Sequence, residues 1–255
     1  MSLIDEFSNY HAKYENRAYR ILLREFRKIL KDIPYRNITL ENAETFIMLN
    51  VNEESLRKAL LKVYLLIGNS YGTIISQQLK SEQKRRFPLF SEAFQSFIIS
   101  YMQSEGFSAI TLLTQTMAKE VAKKVIELSK SGIDVFTLRK EIQKIVNKPD
   151  FYKWQALRIA RTETTFAMNS SKEIAGEVSG LVLDKIWLGR NDGRERPSHV
   201  AMNNKMAGQN ELFKVGGSLM KYPGDKNGSV EEVVNCRCTF AYKVRRDANG
   251  NLIYR

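Results

Sequence analysis

Histidine and cysteine are scarce in this sequence. The 255 residues include 2 of each, and both cysteines and one histidine lie between Trp187 and Cys238. Two cysteines without framework spacing exclude a disulfide-stabilised scaffold and are typical of a reducing compartment. The residue types that most often carry chemistry are therefore concentrated in the C-terminal part of the chain, which becomes the candidate functional region.

Long apolar runs and an N-terminal leader are absent as well. No apolar run approaches the roughly 20 residues that a membrane-spanning helix needs. The first residues, Met-Ser-Leu-Ile-Asp-Glu, lack the basic and apolar regions of a signal peptide. We therefore expect no membrane span and synthesis in the cytoplasm.

The chain also lacks a discrete basic tail, although it is basic overall. Lys and Arg number 40 against 28 Asp and Glu, which gives a net charge of +12. Residues 1–150 hold 23 basic and 17 acidic side chains, and residues 151–255 hold 17 and 11, so each part nets +6. This distribution predicts a diffuse basic surface that associates weakly with nucleic acid or with an acidic protein surface.

The two cysteines that are present form a Cys-x-Cys pair. Cys236 and Cys238 lie between β-branched residues, which predicts a strand over Val233–Val244 with both thiols on one face. A disulfide between them is not expected, because two extended residues span about 6.6 to 7 Å. With His199 and Asp192 they form a candidate tetrahedral zinc site of two thiolates, an imidazole and a carboxylate. The alternative is that both cysteines pack as small buried side chains.

Basic side chains cluster at two places in the sequence. Arg194 and Arg196 lie in a polar loop, Asp192–His199, and Arg190 lies just before it. Arginines of this kind bind carboxylates or phosphates. The alternative there is a solvated turn in which Asp192 pairs with Arg194. A second run contains Lys84, Arg85 and Arg86, which indicates a solvated helix end or, as the sharper alternative, a phosphate contact.

Apolar periodicity predicts helices through most of the chain before Gly180. The last of them, 151–179, carries Arg158, Arg161, Thr165 and Asn169 on one face, which favours contact with a partner or with the loop around Asp192. After Gly180, short apolar runs and turn residues predict strands, including Asp184–Leu188, and a hairpin turn at Asn249-Gly250. His11 is predicted to lie on the surface. The predicted helices are 4–33, 53–78, 108–129, 135–146 and 151–179.

These patterns predict an α+β fold with a mostly helical N-terminal body and a small β-rich C-terminal domain. We place the helical region at 1–149 and the C-terminal domain, with its long helix, at 150–255.

Five short motifs occur in an order that is similar to that of a known family. They resemble the motifs of phage minor head proteins, the Mu F-like head morphogenesis family, over about residues 150–245. The motifs are Arg161-Thr-Glu-Thr, the Trp187 strand, Asp192-x-Arg194-x-Arg196-x-x-His199, Tyr222-Pro-Gly-Asp225 and Asn235-Cys-Arg-Cys238.

The resemblance implies a structural protein of a tailed-phage head. It implies a few copies per virion, a location inside the capsid after synthesis in the host cytoplasm, and action in head assembly or DNA delivery. The implied partners are the portal protein, the capsid and packaged DNA, and a homo-oligomer is compatible with this role. The resemblance assigns no catalytic residue.

The alternative is an enzyme: a metal-dependent nuclease or hydrolase, or a toxin-like enzyme, that uses Asp192, His199, Cys236 and Cys238. Some proteins that resemble this family carry ADP-ribosyltransferase or other toxin domains. Here no Glu-x-Glu motif follows a Ser-Thr-Ser strand, and Glu231 and Glu232 are adjacent, so they would face opposite ways on a strand. We therefore predict a structural protein without catalytic residues.

Overall fold

The computed structural model describes residues 2–39, 41–81, 90–104, 106–146, 148 and 152–255. Its larger helices follow one another as far as Ser179. They are α1 (Leu3–Asp32), α2 (Ala43–Asn50), α3 (Glu53–Ser81), α4 (Phe90–Ser104), α5 (Gly106–Ser129), α6 (Val135–Val146) and α7 (Lys153–Ser179), with a 3₁₀ turn at Tyr35–Asn37.

The part of the chain after Ser179 combines short strands with two short helices. In order they are β1 (Leu183–Leu188), α8 (Pro197–Met202), β2 (Met206–Gly208), β3 (Phe213–Val215), β4 (Ser218–Met220), α9 (Val230–Val233) and β5 (Thr239–Val244). Strands β2, β1 and β5 form an antiparallel sheet in that order, and β3 pairs with β4. The predicted α+β fold is confirmed.

The chain forms two compact units, and each contains separated stretches of sequence. Unit 1 comprises residues 1–18, 62–98 and 158–255, and unit 2 comprises 19–61 and 99–157. Within unit 2, α2 packs against α5, and α5 packs against α6. The predicted division into domains 1–149 and 150–255 stays a prediction.

The N-terminal helix follows its apolar pattern. α1 buries aromatic and aliphatic side chains along one face, among them Phe7, Tyr14, Leu22 and Phe26. It ends at Asp32, just before Pro34, because a proline cannot donate the backbone hydrogen bond that would extend the helix. The predicted helix over 4–33 is confirmed to within one residue.

His11 is buried, so its predicted surface position is wrong. Its side chain is 1% exposed, and Nε2 lies 2.9 Å from Thr165 Oγ1. The prediction was wrong because His11 lies on the face of α1 that also carries Phe7 and Tyr14, both of which are buried.

The two glycines of α3 allow close packing of α4. A Cβ at Gly68 would lie 1.9 Å from the Phe94 ring, and one at Gly72 would lie 1.9 Å from the Phe90 ring. The two rings stack on each other with centroids 5.7 Å apart. The glycines therefore make room for aromatic side chains in the middle of a helix, where they would otherwise only weaken it.

By length and composition α3 would also pass as a membrane span. Its most apolar window has a mean hydropathy of 1.2, and 56% of that window is buried inside the protein. Buried core helices share this property, so the expectation that no segment spans a membrane stays a prediction.

The predicted strand over Val233–Val244 is correct only from Thr239 onward. Val233 closes α9, and the chain then turns at Asn235, whose φ of 59° is left-handed, before Cys236–Cys238 leads into β5. A helix and a turn replace the expected strand because tertiary contacts outweigh the preference of β-branched residues for strands. Glu231 and Glu232 consequently lie on a helix.

We expect Gly68→Ala to destabilise the protein by about 1–3 kcal/mol, because the new methyl group overpacks the Phe94 ring. The expected loss has the opposite sign to the gain of roughly 1 kcal/mol that replacing glycine by alanine gives in an unconstrained helix. Urea denaturation followed by circular dichroism measures the change.

The control for Gly68 is Gly217→Ala, where an added Cβ meets nothing within 4 Å. The free energy of unfolding of this variant should lie within about 0.5 kcal/mol of the wild-type value. In a Gly68→Ala/Phe94→Leu double variant the two losses should not add, because the smaller side chain leaves space for the methyl group. Strict additivity would show that Phe94 is not the obstacle.

Candidate site at the Cys-x-Cys loop

One face of α7 holds the chain segment that contains the two cysteines. Thr165 donates a hydrogen bond to the carbonyl of Cys236, and Asn169 Nδ2 donates to the carbonyl of Cys238 at 3.0 Å. Lys172 Nζ donates to the carbonyl of Phe240 at 2.6 Å. Three side chains at helical spacing thus bind three alternate carbonyls of an extended segment.

Further hydrogen bonds complete this polar face. Asn169 also donates to the carbonyl of Pro223 at 2.8 Å and accepts from Thr239 Oγ1 at 2.8 Å. The amide of Asn235 donates to Thr162 Oγ1 at 3.0 Å. We predicted that the polar stripe of this helix contacts a partner or the loop around Asp192. Thr165 and Asn169 instead bind the main chain of the Cys-x-Cys loop.

His11 shares Thr165 with this loop. Since the Thr165 hydroxyl donates to the Cys236 carbonyl, its oxygen accepts from His11 Nε2, and this assigns the proton to Nε2. Burial, helped by the nearby charges of Arg190, Arg161 and Arg237, lowers the pKa of His11 to about 3. His11 is therefore neutral at physiological pH.

The sulfur atoms and one imidazole meet at the base of the loop. His199 Nδ1 lies 3.7 Å from Cys236 Sγ and 3.4 Å from Cys238 Sγ. The donor atoms of the three residues lie within 4.8 Å of one another. Each of the three residues is 2% exposed. The Trp187 ring packs edge-on against the imidazole, with centroids 5.5 Å apart.

Local backbone geometry explains why these side chains converge. Pro197 begins α8, which carries His199 on its buried face, because proline suits the first position of a helix. Arg196, just before α8, donates to the carbonyl of Val234. On the other side, the left-handed Asn235 turns the chain immediately before Cys236. The amide of Cys238 then donates to Cys236 Sγ at 3.5 Å.

The two thiols differ in acidity because the cysteine side chains interact with each other. The Cys238 side chain lowers the pKa of the Cys236 thiol, although burial opposes that shift. The Cys236 side chain, together with burial, raises the pKa of the Cys238 thiol. Cys236 is therefore the more acidic thiol of the two.

Glu232 is the nearest carboxylate to this imidazole. Its Oε2 lies 3.0 Å from His199 Nε2, but the contact lacks the alignment of a hydrogen bond. The same carboxylate oxygen accepts from Ser198 Oγ at 2.8 Å. Glu232 did not figure among the predicted site residues, because it was considered only with Glu231 as an adjacent pair that would face opposite ways on a strand. The pattern Ser229-x-x-Glu232, which is typical of a helix start, could have located it.

Asp192 does not join the cluster, contrary to the predicted convergence of four residues. Its carboxylate pairs with Arg237 at 2.7 Å, Arg194 at 3.0 Å and Arg190 at 3.9 Å. Burial raises the pKa of Asp192, but the Arg194 amide and the Arg237 guanidinium outweigh this effect and lower it overall. The arginines attract the carboxylate more strongly than two neutral thiols can, so three of the four residues converge.

The predicted binding arginines occupy different surroundings. Arg158 is exposed, and Arg194 is 72% exposed even though it pairs with Asp192. Arg161 pairs with Glu15 at 3.0 Å, and Arg196 is half-buried against Val234. Their roles in binding stay predictions. The remaining three, Lys84, Arg85 and Arg86, lie outside the described residues.

Two buried lysines nearby add to the polar interior of unit 1. Lys185 is fully buried and pairs with Glu173 at 3.3 Å. Burial lowers the pKa of Lys172 to about 7, while Glu6 partly opposes the shift. The rings of Phe7, Tyr71 and Phe240 lie within 5.7 Å of its nitrogen. No sequence pattern marked either lysine as buried.

We expect Asn169→Ala to lower the free energy of unfolding by about 3 kcal/mol or more, because two buried carbonyls lose a donor and the Thr239 hydroxyl loses its acceptor. Asn50→Ala is the matched control, since the Asn50 amide also donates to a carbonyl, that of Phe46, but at an exposed position. Its effect should stay below about 1 kcal/mol. Equal losses in urea denaturation would contradict the role of Asn169.

The buried His11 predicts a pH dependence of stability. Its folded pKa of about 3 lies below the unfolded value of 6.5. Between these values the unfolded chain binds one more proton. The free energy of unfolding therefore decreases as pH falls, by up to about 1.4 kcal/mol per pH unit. His11→Gln should remove this dependence between about pH 7 and pH 5. An unchanged slope would show that His11 is not the titrating group.

A comparison with protein families matches the part of the chain that contains this site. Residues 119–241 match the family model described as Phage Mu protein F like protein. The chain is also 39% identical, over 89 residues, to the NAD(+)–arginine ADP-ribosyltransferase EFV of Enterococcus faecalis. The aligned segment covers 33% of this chain and 18% of that protein. No solved structure matches. The resemblance found in the motifs is confirmed over residues 119–241, which form a region similar to the Mu F-like phage family.

Proposed function

We propose that this phage-head-related protein is a minor structural component of the capsid interior, where it contacts the portal and packaged DNA during head morphogenesis or DNA delivery. The family supports a virion-associated head protein. The finer assignment is supported by the way the motif residues are used and by the distribution of positive charge.

The observation that carries the proposal is that polar residues within the motifs and beside them on α7 make internal contacts. Thr165 and Asn169 are fully buried, and both bind main-chain carbonyls. In the Tyr222–Asp225 motif, Asp225 is 3% exposed and accepts from the amide of Lys221 at 2.6 Å. Thr165, Asn169 and Asp225, held in this way, support the fold and do not face a substrate.

A concentrated patch of positive charge supports contact with DNA. Within unit 2, α1 presents five exposed cations over residues 20–31, and its one acidic residue there is Glu25. The spacing of three and four residues places most of them on one helix face. The cations are Arg20, Arg24, Arg27, Lys28 and Lys31. Such a face suits a phosphate backbone without base-specific contacts.

The enzyme alternative draws on the same residues but is less well supported. His199, Cys236 and Cys238 are each 2% exposed, so a substrate does not reach them. Asp192 is held by arginines rather than facing a cleft. The chain covers only 18% of the ADP-ribosyltransferase that it matches, so that enzyme's activity is not carried over.

We expect mass spectrometry of purified virions to detect this chain at a low copy number relative to the major capsid protein. It should also co-purify with portal oligomers from cells that assemble heads, because a head component is retained in the particle. A protein that is found only in the soluble lysate, and never in heads or with portal, would rule out the proposal.

Two triple variants that lose the same amount of charge at different positions test the DNA contact. The triple variant Arg20→Gln/Arg24→Gln/Lys31→Gln should bind duplex DNA more weakly, with a salt dependence that is shallower by up to about 3 in log–log slope. Lys205, Lys214 and Lys221 are exposed on the tail, and replacing them by Gln lowers the net charge equally. Fluorescence anisotropy at several salt concentrations should show wild-type slopes for this control. Equal slopes for both variants would contradict a site on α1.

A further inference from the structure

We propose that His199, Cys236 and Cys238 bind one zinc ion, through Nδ1 and the two thiolates, and that this ion joins α8 to the loop before β5. The inference is independent of the role in the phage head. It concerns a metal site with three protein ligands, and it leaves Asp192 out.

The spacing of the donor atoms matches a tetrahedral zinc site. Zn–S bonds of about 2.3 Å and a Zn–N bond of about 2.0–2.1 Å at tetrahedral angles place nitrogen and sulfur about 3.5 Å apart. The two separations in the structure are 3.4 and 3.7 Å. Both nitrogen–sulfur separations therefore fit one shared ion, and all three donor atoms lie within 4.8 Å of one another.

Ordinary hydrogen bonding explains the arrangement less well. A neutral imidazole nitrogen offers one lone pair, and a thiol is a weak donor. Nδ1 of His199 nevertheless has two sulfur atoms at close range. A metal ion takes the nitrogen lone pair and the lone pairs of both sulfurs together, which one shared proton cannot do. Two thiolates and an imidazole are ligands that zinc prefers.

The surroundings support the charges that such a site requires. The amide of Cys238 donates to Cys236 Sγ at 3.5 Å, a hydrogen bond that favours a thiolate. Nε2 of His199 is buried without a hydrogen bond, although Glu232 Oε2 is 3.0 Å away. Metal at Nδ1 fixes the proton on Nε2, where a small rotation aligns it with Glu232. Metal-bound histidines commonly have such a carboxylate behind them.

The site connects two segments that lie far apart in the sequence. His199 lies 37 and 39 residues before the two cysteines. Its short helix, α8, has 6 residues, too few to be stable by itself. The hydrophobic cluster that contains both cysteines also contains Trp187, Phe213 and Val215. An ion at this point adds binding free energy to the folded state of a small β-rich region. A water molecule suits the fourth position, because no fourth such ligand joins the group among the described residues.

The first experiment measures metal in the wild-type full chain. Protein produced in zinc-supplemented medium and dialysed should retain about one zinc per chain by plasma mass spectrometry. Cobalt(II) in place of zinc should give thiolate-to-metal charge-transfer absorption. Zinc should also protect both cysteines from a maleimide, and a chelator should lower the melting temperature reversibly. No retained zinc, together with equal maleimide rates with and without zinc, would overturn the proposal.

Variants separate the three ligands from their neighbours. His199→Gln and Cys238→Ser should lose most of the zinc and the cobalt absorption. Glu232→Gln should keep one zinc but bind it about 10- to 100-fold more weakly. Asp192→Asn should keep wild-type zinc content and affinity, and loss of zinc in this variant would show that the ligand set is wrong.

A matched core variant controls for loss of folding. Val215→Ala removes buried methyl groups from the same cluster without touching a ligand. It should lower the melting temperature while retaining about one zinc per chain. If Val215→Ala loses as much zinc as Cys238→Ser at a temperature where both are folded, the zinc follows general stability rather than these ligands, and the proposal fails.

Discussion

The hydrogen bonds from α7 to the main chain of the Cys-x-Cys loop are the constraint on which unit 1 depends. Thr165, Asn169 and Lys172 bind the carbonyls of residues 236, 238 and 240. Each bond satisfies a buried carbonyl that would otherwise cost about 1–3 kcal/mol. They set how far the extended segment lies from the helix and where each residue falls along it. The positions of both cysteines and the start of β5 follow from that register.

Burial of these polar groups is costly, and the surrounding residues offset the cost. Lys172 has a carbonyl, a hydroxyl and three aromatic rings around its nitrogen, which compensate in part for lost water. Lys185 and Glu173 form a buried pair, and Tyr242 contacts that carboxylate at 3.2 Å. Removing one partner of such a pair is much more damaging than exchanging the whole pair for apolar residues. The interior of unit 1 therefore tolerates coordinated changes better than single ones.

The sequence predicted features that depend on local pattern. The apolar repeat predicted α1 and its end before Pro34, and the short apolar run around Trp187 predicted β1 to within one residue. The scarcity of cysteine and histidine drew attention to His199, Cys236 and Cys238, which do lie together. Each of these inferences used residues close in sequence or rare in composition, which a single chain reveals without knowledge of its folded contacts.

Features that depend on distant contacts were predicted less well. Asp192 had the right chemistry for a metal site, but Arg237, 45 residues away, attracts it elsewhere. His11 was placed on the surface because its local neighbours are polar, whereas its partner is Thr165, 154 residues away. Val233 and Val234 favour a strand locally, yet they lie at the end of α9 and in the turn that follows. In each case a tertiary partner, invisible to local pattern, decides the outcome.

The discontinuity of the two units has a consequence for the order in which the protein folds as it is synthesised. Unit 2 contains no residue beyond 157, whereas unit 1 needs residues 158–255 to complete the fold around its first 18. Synthesis proceeds from the N-terminus at about 5–20 residues per second. The buried face of the first half of α1 therefore waits, without its final neighbours, for several seconds after unit 2 has all its residues. During that interval His11 lacks its hydrogen-bond partner Thr165, although Phe7 already has the Tyr71 ring of α3 available.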